Sequence, residues 1–166
     1  MTAPKEKVVA VDSPEAPLHL DRFIPYRLSV LSNTISMLIA GAYEREFGLS
    51  IPQWRIMAVL ARYPDLSAVD VAERTAMDKV AVSRALQGLL GSKRVLRAYD
   101  KGDRRRSILR LSAAGQAVYT RVAPMALRYE AELVSVLNPT DQRTLDRLLT
   151  RLMEQATSMQ ASRDIE

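Results

Sequence analysis

Residues 67–112, SAVDVAERTAMDKVAVSRALQGLLGSKRVLRAYDKGDRRRSILRLS, decide the fold. Ser67 followed three residues later by Asp70 starts a short helix, with Val71 and Ala72 facing inward. Ala76-Met77 makes a tight turn, and Asp78 caps a second helix that carries Val82, Leu86, Leu89 and Leu90 on one side. Two short helices around such a turn, the second with an apolar inner face, describe a helix-turn-helix. After Lys93 the texture changes. Val95–Tyr99 and Ser107–Leu111 both suit strands, and between them lies Asp100-Lys101-Gly102-Asp103-Arg104-Arg105-Arg106, a hairpin tip with charge and one glycine. A charged hairpin directly behind a helix-turn-helix is a wing.

Working outward, Ser50-Ile51-Pro52-Gln53 joins a capping hydroxyl, a first-turn proline and a Gln three residues on, so a helix starts here and runs through Leu60 to stop near Tyr63-Pro64. Before it, Leu28, Leu31, Ile35, Leu38 and Ile39 recur at helical steps from Asp21 to Phe47, and Gly48 closes that helix. Behind the wing, Ser112 caps a helix through Val118, Val122, Met125, Leu133 and Leu137, with Pro124 as an internal kink. Asn138-Pro139-Thr140-Asp141 caps a last helix with a stripe of Leu145, Leu148, Leu149, Leu152, Met153 and Ala156.

The expected fold is therefore mainly α with a small β-hairpin wing: an N-terminal arm over 1–20, helical dimerisation segments over 21–48 and 112–160, and a winged helix-turn-helix over 49–111. Pro4, Pro14 and Pro17 leave the arm little structure of its own. The stripes of the flanking helices exceed what so small a reading head can cover, and a second copy of the chain is the natural cover.

Composition narrows the function. The 166 residues contain no cysteine, which rules out thiolate-ligated metal sites and disulfides, and the one histidine, His19, lies in the arm without companion ligands. No phosphate-binding glycine loop, nucleophile elbow or HExxH motif is present, so neither catalytic residues, metal ligands nor a cofactor are expected. The amino terminus lacks the apolar run of a signal peptide, and no stretch suits a bilayer span, so a cytoplasmic protein is expected. The net charge is +5, yet residues 93–110 hold eight basic and two acidic side chains, which makes that segment +6. The other 16 basic and 17 acidic residues leave −1, so the whole excess sits in one place. Such concentration points to a polyanionic partner.

On the second helix of the pair, Lys79, Ser83, Arg84 and Gln87 share the outward face with Val80. Arginine can grip guanine bidentately, glutamine suits adenine, and serine and lysine hold phosphates or bases. An ordinary solvent face has much the same composition, and the wing tips the balance. Arg104, Arg105 and Arg106 repel one another in water, and a narrow minor groove is where they gain energy. Asp103 beside them is read as an orienting partner that fixes one guanidinium.

From about Leu49 to Gly115 the chain resembles the MarR family of winged helix-turn-helix regulators. The resemblance rests on Val71-Ala72-Glu73-Arg74, Met77-Asp78-Lys79, Val82-Ser83-Arg84 and Leu86 to Leu89, and on the wing signature matched by Asp103, Arg105, Leu111, Ser112 and Gly115. Ser112 stands where the family usually has threonine. Where it has glycine between recognition helix and wing, this chain has Lys93-Arg94, so either the turn differs or Gly91 ends the helix early. The resemblance implies a homodimeric repressor on palindromic double-stranded DNA, released by a small-molecule effector, often an aromatic or phenolic acid or its thioester. Arg27, Trp54 and Arg55 fall where such regulators hold effectors, and an arginine beside aromatic rings suits a carboxylate, although plain core packing and surface ion pairs account for the same residues. The competing reading is an architectural DNA-binding protein with little sequence specificity.

Overall fold

A computed structural model describes residues 17–99 and 107–163. Eight elements follow in the order α1 (Ile24–Phe47), α2 (Ile51–Arg62), α3 (Ala68–Thr75), α4 (Lys79–Gly91), β1 (Val95–Tyr99), β2 (Ser107–Leu111), α5 (Ala113–Val134) and α6 (Pro139–Arg163). This is the expected mainly helical chain with a two-stranded hairpin.

Short-range chemistry sets the boundaries. Ser50 accepts from the Gln53 amide while the Gln53 side chain accepts from the Ser50 amide at 2.9 Å, so two orphan N–H groups of α2 are satisfied together. Ser67 and Asp70 repeat the device on α3, and Ser112 caps α5 by accepting from the Gly115 amide. Gly48 ends α1 at φ +60°, a conformation that costs glycine little.

Two boundaries differ from expectation. The first helix begins at Ile24, not Asp21, because the Pro25 ring would strike the carbonyl of residue 21 in a longer helix. A turn with Arg22 N–H on the His19 carbonyl at 3.0 Å takes its place. The fifth helix stops at Val134, and Ser135 turns its hydroxyl onto the Glu132 carbonyl at 2.7 Å, so Leu137 falls in the connection to α6. Pro124 lies inside α5, which continues on both sides of it.

Two compact units divide the chain, one up to Ile35 and one from Ser36 onward. In the first, Phe23, Ile24, Tyr26, Leu28, Val30 and Leu31 are exposed. The second holds the core: Tyr43 of α1, Leu49 in the link to α2, Ile56, Met57 and Leu60 of α2, Val71 of α3, Leu89 of α4, Val95 and Leu109 of the hairpin, and Val122 of α5. At roughly 1.5–3 kcal/mol for each large aliphatic side chain removed from water, this cluster fixes α2, α3, α4 and the hairpin against each other. The strands pair antiparallel from Val95↔Leu111 to Tyr99↔Ser107. Leu66, in the link between α2 and α3, adds a bridge to Leu109, its carbonyl accepting from the Leu109 amide at 2.8 Å.

Candidate nucleic-acid interface

The turn between α3 and α4 is held by several independent bonds. The Thr75 hydroxyl donates to the Val71 carbonyl at 2.6 Å, Ala76 takes φ +50°, and the Met77 amide reaches the Ala72 carbonyl at 3.3 Å. Asp78 then accepts from the Val80 and Ala81 amides at 2.9 and 2.8 Å. With both ends fixed, α4 buries Val82, Ala85, Leu86 and Leu89, and its opposite side is set by geometry alone. Lys79, Val80, Ser83, Arg84 and Gln87 are all exposed there. Among the described residues, none of the Lys79, Ser83, Arg84 and Gln87 side chains has a hydrogen-bond or ion-pair partner. An exposed row of four donors on a helix this firmly seated can enter a groove without losing internal bonds.

The far end of α4 shows what replaces the missing glycine. The Arg94 amide bonds the Leu89 carbonyl at 2.9 Å and the Lys93 amide bonds the Leu90 carbonyl at 3.0 Å, the two bonds of a Schellman ending. Lys93 takes φ +56° to make them. Gly91 is the last residue of α4, and the left-handed position is filled two residues later by a lysine. Its carbonyl is held by the Ser112 hydroxyl at 2.7 Å.

The basic segment divides into structural and free members. Arg94 donates to the Phe47 carbonyl at 2.6 Å and so caps the end of α1. Arg110 pairs with Asp65 at 2.8 Å, and Asp65 itself stands at φ +65°. The eight positive charges counted from sequence therefore overstate what a ligand would meet. Both partners lie more than forty residues away in the chain, beyond the reach of any local pattern. Arg97 of β1, exposed and without a described partner, was not among the candidate residues. The hairpin tip, with Asp103, Arg104, Arg105 and Arg106, lies outside the described residues.

The other candidate cluster is partly engaged. The half-buried Trp54 ring stacks on Tyr119 at 5.8 Å and 20° and meets Tyr43 at 5.8 Å and 41°. Burial, then the neighbouring Glu44 charge, raises the Tyr43 hydroxyl to about 12, against the opposing pull of Arg55. Arg55 donates to the Ser36 hydroxyl at 3.1 Å. Arg27 is exposed on α1, in the unit that ends at Ile35. No group of three or more potential metal ligands occurs among the described residues, and no described helix is long and apolar enough to cross a membrane.

The sequence model of the MarR family matches residues 47–106, which run from the end of α1 through the helix-turn-helix into the wing. Over this segment the chain is similar to the MarR family. A curated relative, the transcriptional regulator HosA of Escherichia coli, is 25% identical over 105 residues, covering 63% of this chain and 78% of HosA. A MarR/EmrR family regulator from Acinetobacter sp. ADP1 is 26% identical, with TM-score 0.77 over 85% of this chain and 99% of its own. BpsR of Bordetella bronchiseptica, whose DNA binding is regulated by 6-hydroxynicotinic acid, shares the fold at 22% identity and TM-score 0.72, over 83% of this chain and 98% of its own. The MarR-family proteins it resembles are transcriptional regulators and not enzymes.

Proposed function

We propose that this MarR-family transcriptional regulator is a homodimeric repressor that reads a palindromic operator with α4 and loses its hold when a small aromatic acid, or its thioester, binds. The observation that carries the reading is the outer face of α4: Lys79, Ser83, Arg84 and Gln87 stand exposed, without partners among the described residues, on a helix locked at both ends. Gln87 reads a base, Arg84 holds the backbone, and Arg104, Arg105 and Arg106 enter the flanking minor groove with Asp103 aiming one of them. The exposed stripes of α1, α5 and α6 supply the surface of a two-fold interface. For the effector, Trp54 between two tyrosines gives an aromatic wall with Arg55 beside it, and the regulation of BpsR by 6-hydroxynicotinic acid supports an acid of that kind. Arg27 enters the proposal on its sequence position alone.

The test compares affinity for the inverted repeat upstream of the gene with affinity for random duplex of equal length, at one stated salt concentration. A specific site is expected to bind about a thousandfold tighter or more. Gln87→Ala then costs about 1–3 kcal/mol and relaxes one operator position, while Arg84→Ala weakens every sequence alike. Equal affinity for both duplexes would replace the repressor with an architectural binder. Asp103→Ala sharpens the wing: simple charge counting says that it tightens binding, whereas an aiming role says that it weakens binding, because the freed arginine has more rotamers to lose.

A further inference from the structure

The flank of α4 opens into a shallow depression of about 220 Å³, lined by Ala68 and Val69 at the start of α3, by Lys79, Val82, Ser83 and Leu86 of α4, and by Arg97 of β1. Three elements converge here, and the two charged residues on the rim are both cations. Neither Lys79 nor Arg97 has an anionic partner among the described residues. The position of Lys79 is costly in another way. It is the first residue of α4, where the helix dipole already presents positive charge and where an acidic residue would be favourable; the first turn of α4 contains none. Asp78 offsets part of this, but its carboxylate is committed to the Val80 and Ala81 amides. On β1, Arg97 lies across from the buried Leu109 in a strand whose other core-side residue, Val95, is buried, so its guanidinium emerges beside α4 instead of at the wing tip. Two cations from separate elements, one of them set against a helix dipole, are an arrangement that folding alone does not favour. An arriving anion turns both features into attraction.

We propose that this depression seats a phosphodiester of the DNA backbone, held between Lys79 and Arg97, and that Arg97 is a DNA-contact residue separate from the arginines of the wing tip. The Ser83 hydroxyl, at the same rim, is within the lining and adds a donor for a phosphate oxygen. Because one cation belongs to the recognition helix and the other to the wing strand, a single phosphate fixes the register of both at once. The inference rests on the reading of the protein as a DNA-binding regulator.

Its test uses the full-length protein and a random-sequence duplex, since a backbone contact carries no sequence information. The slope of log affinity against log salt is measured for the wild type, Arg97→Gln and Arg97→Lys. Loss of two contacts per dimer shrinks the affinity drop between 50 and 200 mM salt by about twelvefold, from a slope near 0.9 per phosphate. Arg97→Gln is expected to show this with an unchanged Tm, and Arg97→Lys is expected to keep the wild-type slope. A wild-type slope for Arg97→Gln, with the wild type itself binding DNA, overturns the proposal and leaves the regulator reading intact. Failure of the wild type to bind any duplex overturns both. Inorganic phosphate is the second probe: if it saturates the wild type but not Arg97→Gln, while the DNA slope is the same for both, the depression holds a small anion and the proposal fails.

Discussion

Helices α4 and α6 carry the same sequence signal and meet opposite fates. In α4 the apolar side is fully used: Val82, Leu86 and Leu89 are at most 3% exposed. In α6 an equally regular stripe of Leu145, Leu148, Leu149 and Leu152 is 37–47% exposed, and Met153 and Met159 stand further out still. Periodicity reports which face of a helix is apolar; it is silent on what covers that face. For α4 the cover is local, because α2 and α3 lie just before it in the chain. For α6, a second copy of the chain is the cover proposed above.

That contrast is broken most directly by substituting leucines of the two helices. Leu89→Ala leaves a cavity in a closed core and is expected to cost about 2–5 kcal/mol at every protein concentration. Leu148→Glu with Leu152→Glu is expected to act through association: the wild-type Tm rises with protein concentration, and the variant loses that dependence and halves its mass by light scattering. A wild-type Tm independent of concentration would show that α6 is not an interface, and the pairing of the two helices as covered and uncovered halves of one design would fail.

A second test compares two glycines, one at the end of α4 and one at the start of α5. A Cβ on Gly115 would stand 2.0 Å from the Arg94 carbonyl oxygen and 3.3 Å from Leu111 Cδ2, so α5 or the base of β1 must move. Gly115→Ala is expected to cost about 1–3 kcal/mol, the range for overpacking. Gly91, on the last turn of α4, has nothing within 4 Å of such a Cβ, and Gly91→Ala is expected to stabilise by up to about 1 kcal/mol through helix propensity. Chemical denaturation of both variants checks the pair. Equal and small effects would mean that the close approach of α5 to the wing base is not needed.

The legible parts of this fold are those whose causes are short in sequence. Ser50, Ser67, Asp78 and Ser112 each act on an amide two or three residues ahead, and all four cap as expected. The row on α4 was legible for the same reason, since a capped helix with one apolar side leaves its other side no choice. What escaped were bonds between distant segments. Arg94 reads as one more member of a basic run, yet its guanidinium closes the end of α1, and Arg110 is tied to Asp65. Arg97 sits in a strand where no local pattern sets it apart, and only the approach of α3 and α4 gives its position meaning.

The smallest effect concerns the turn where the chain departs from the MarR-family pattern. Lys93 occupies the left-handed position of a Schellman ending, which costs an L-residue about 1–2 kcal/mol relative to glycine. Against this, glycine loses about 0.5–1 kcal/mol through the entropy of the unfolded chain. The lysine charge also lies within a turn of the last α4 carbonyls, where the dipole favours a cation by about 0.3–1 kcal/mol at low salt. These terms nearly cancel in dilute buffer, so Lys93→Gly is expected to change stability by less than about 0.5 kcal/mol there. Salt screens the dipole term and leaves the backbone terms, so in 1 M salt the glycine variant is expected to be the more stable by about 0.5–1 kcal/mol. The measurement is urea denaturation of both proteins at the two salt concentrations. A wild type that stays the more stable in high salt would mean that the Lys93 side chain stabilises the turn through packing and not through charge, and the family's glycine would then have been exchanged for a contact instead of surrendered at a small cost.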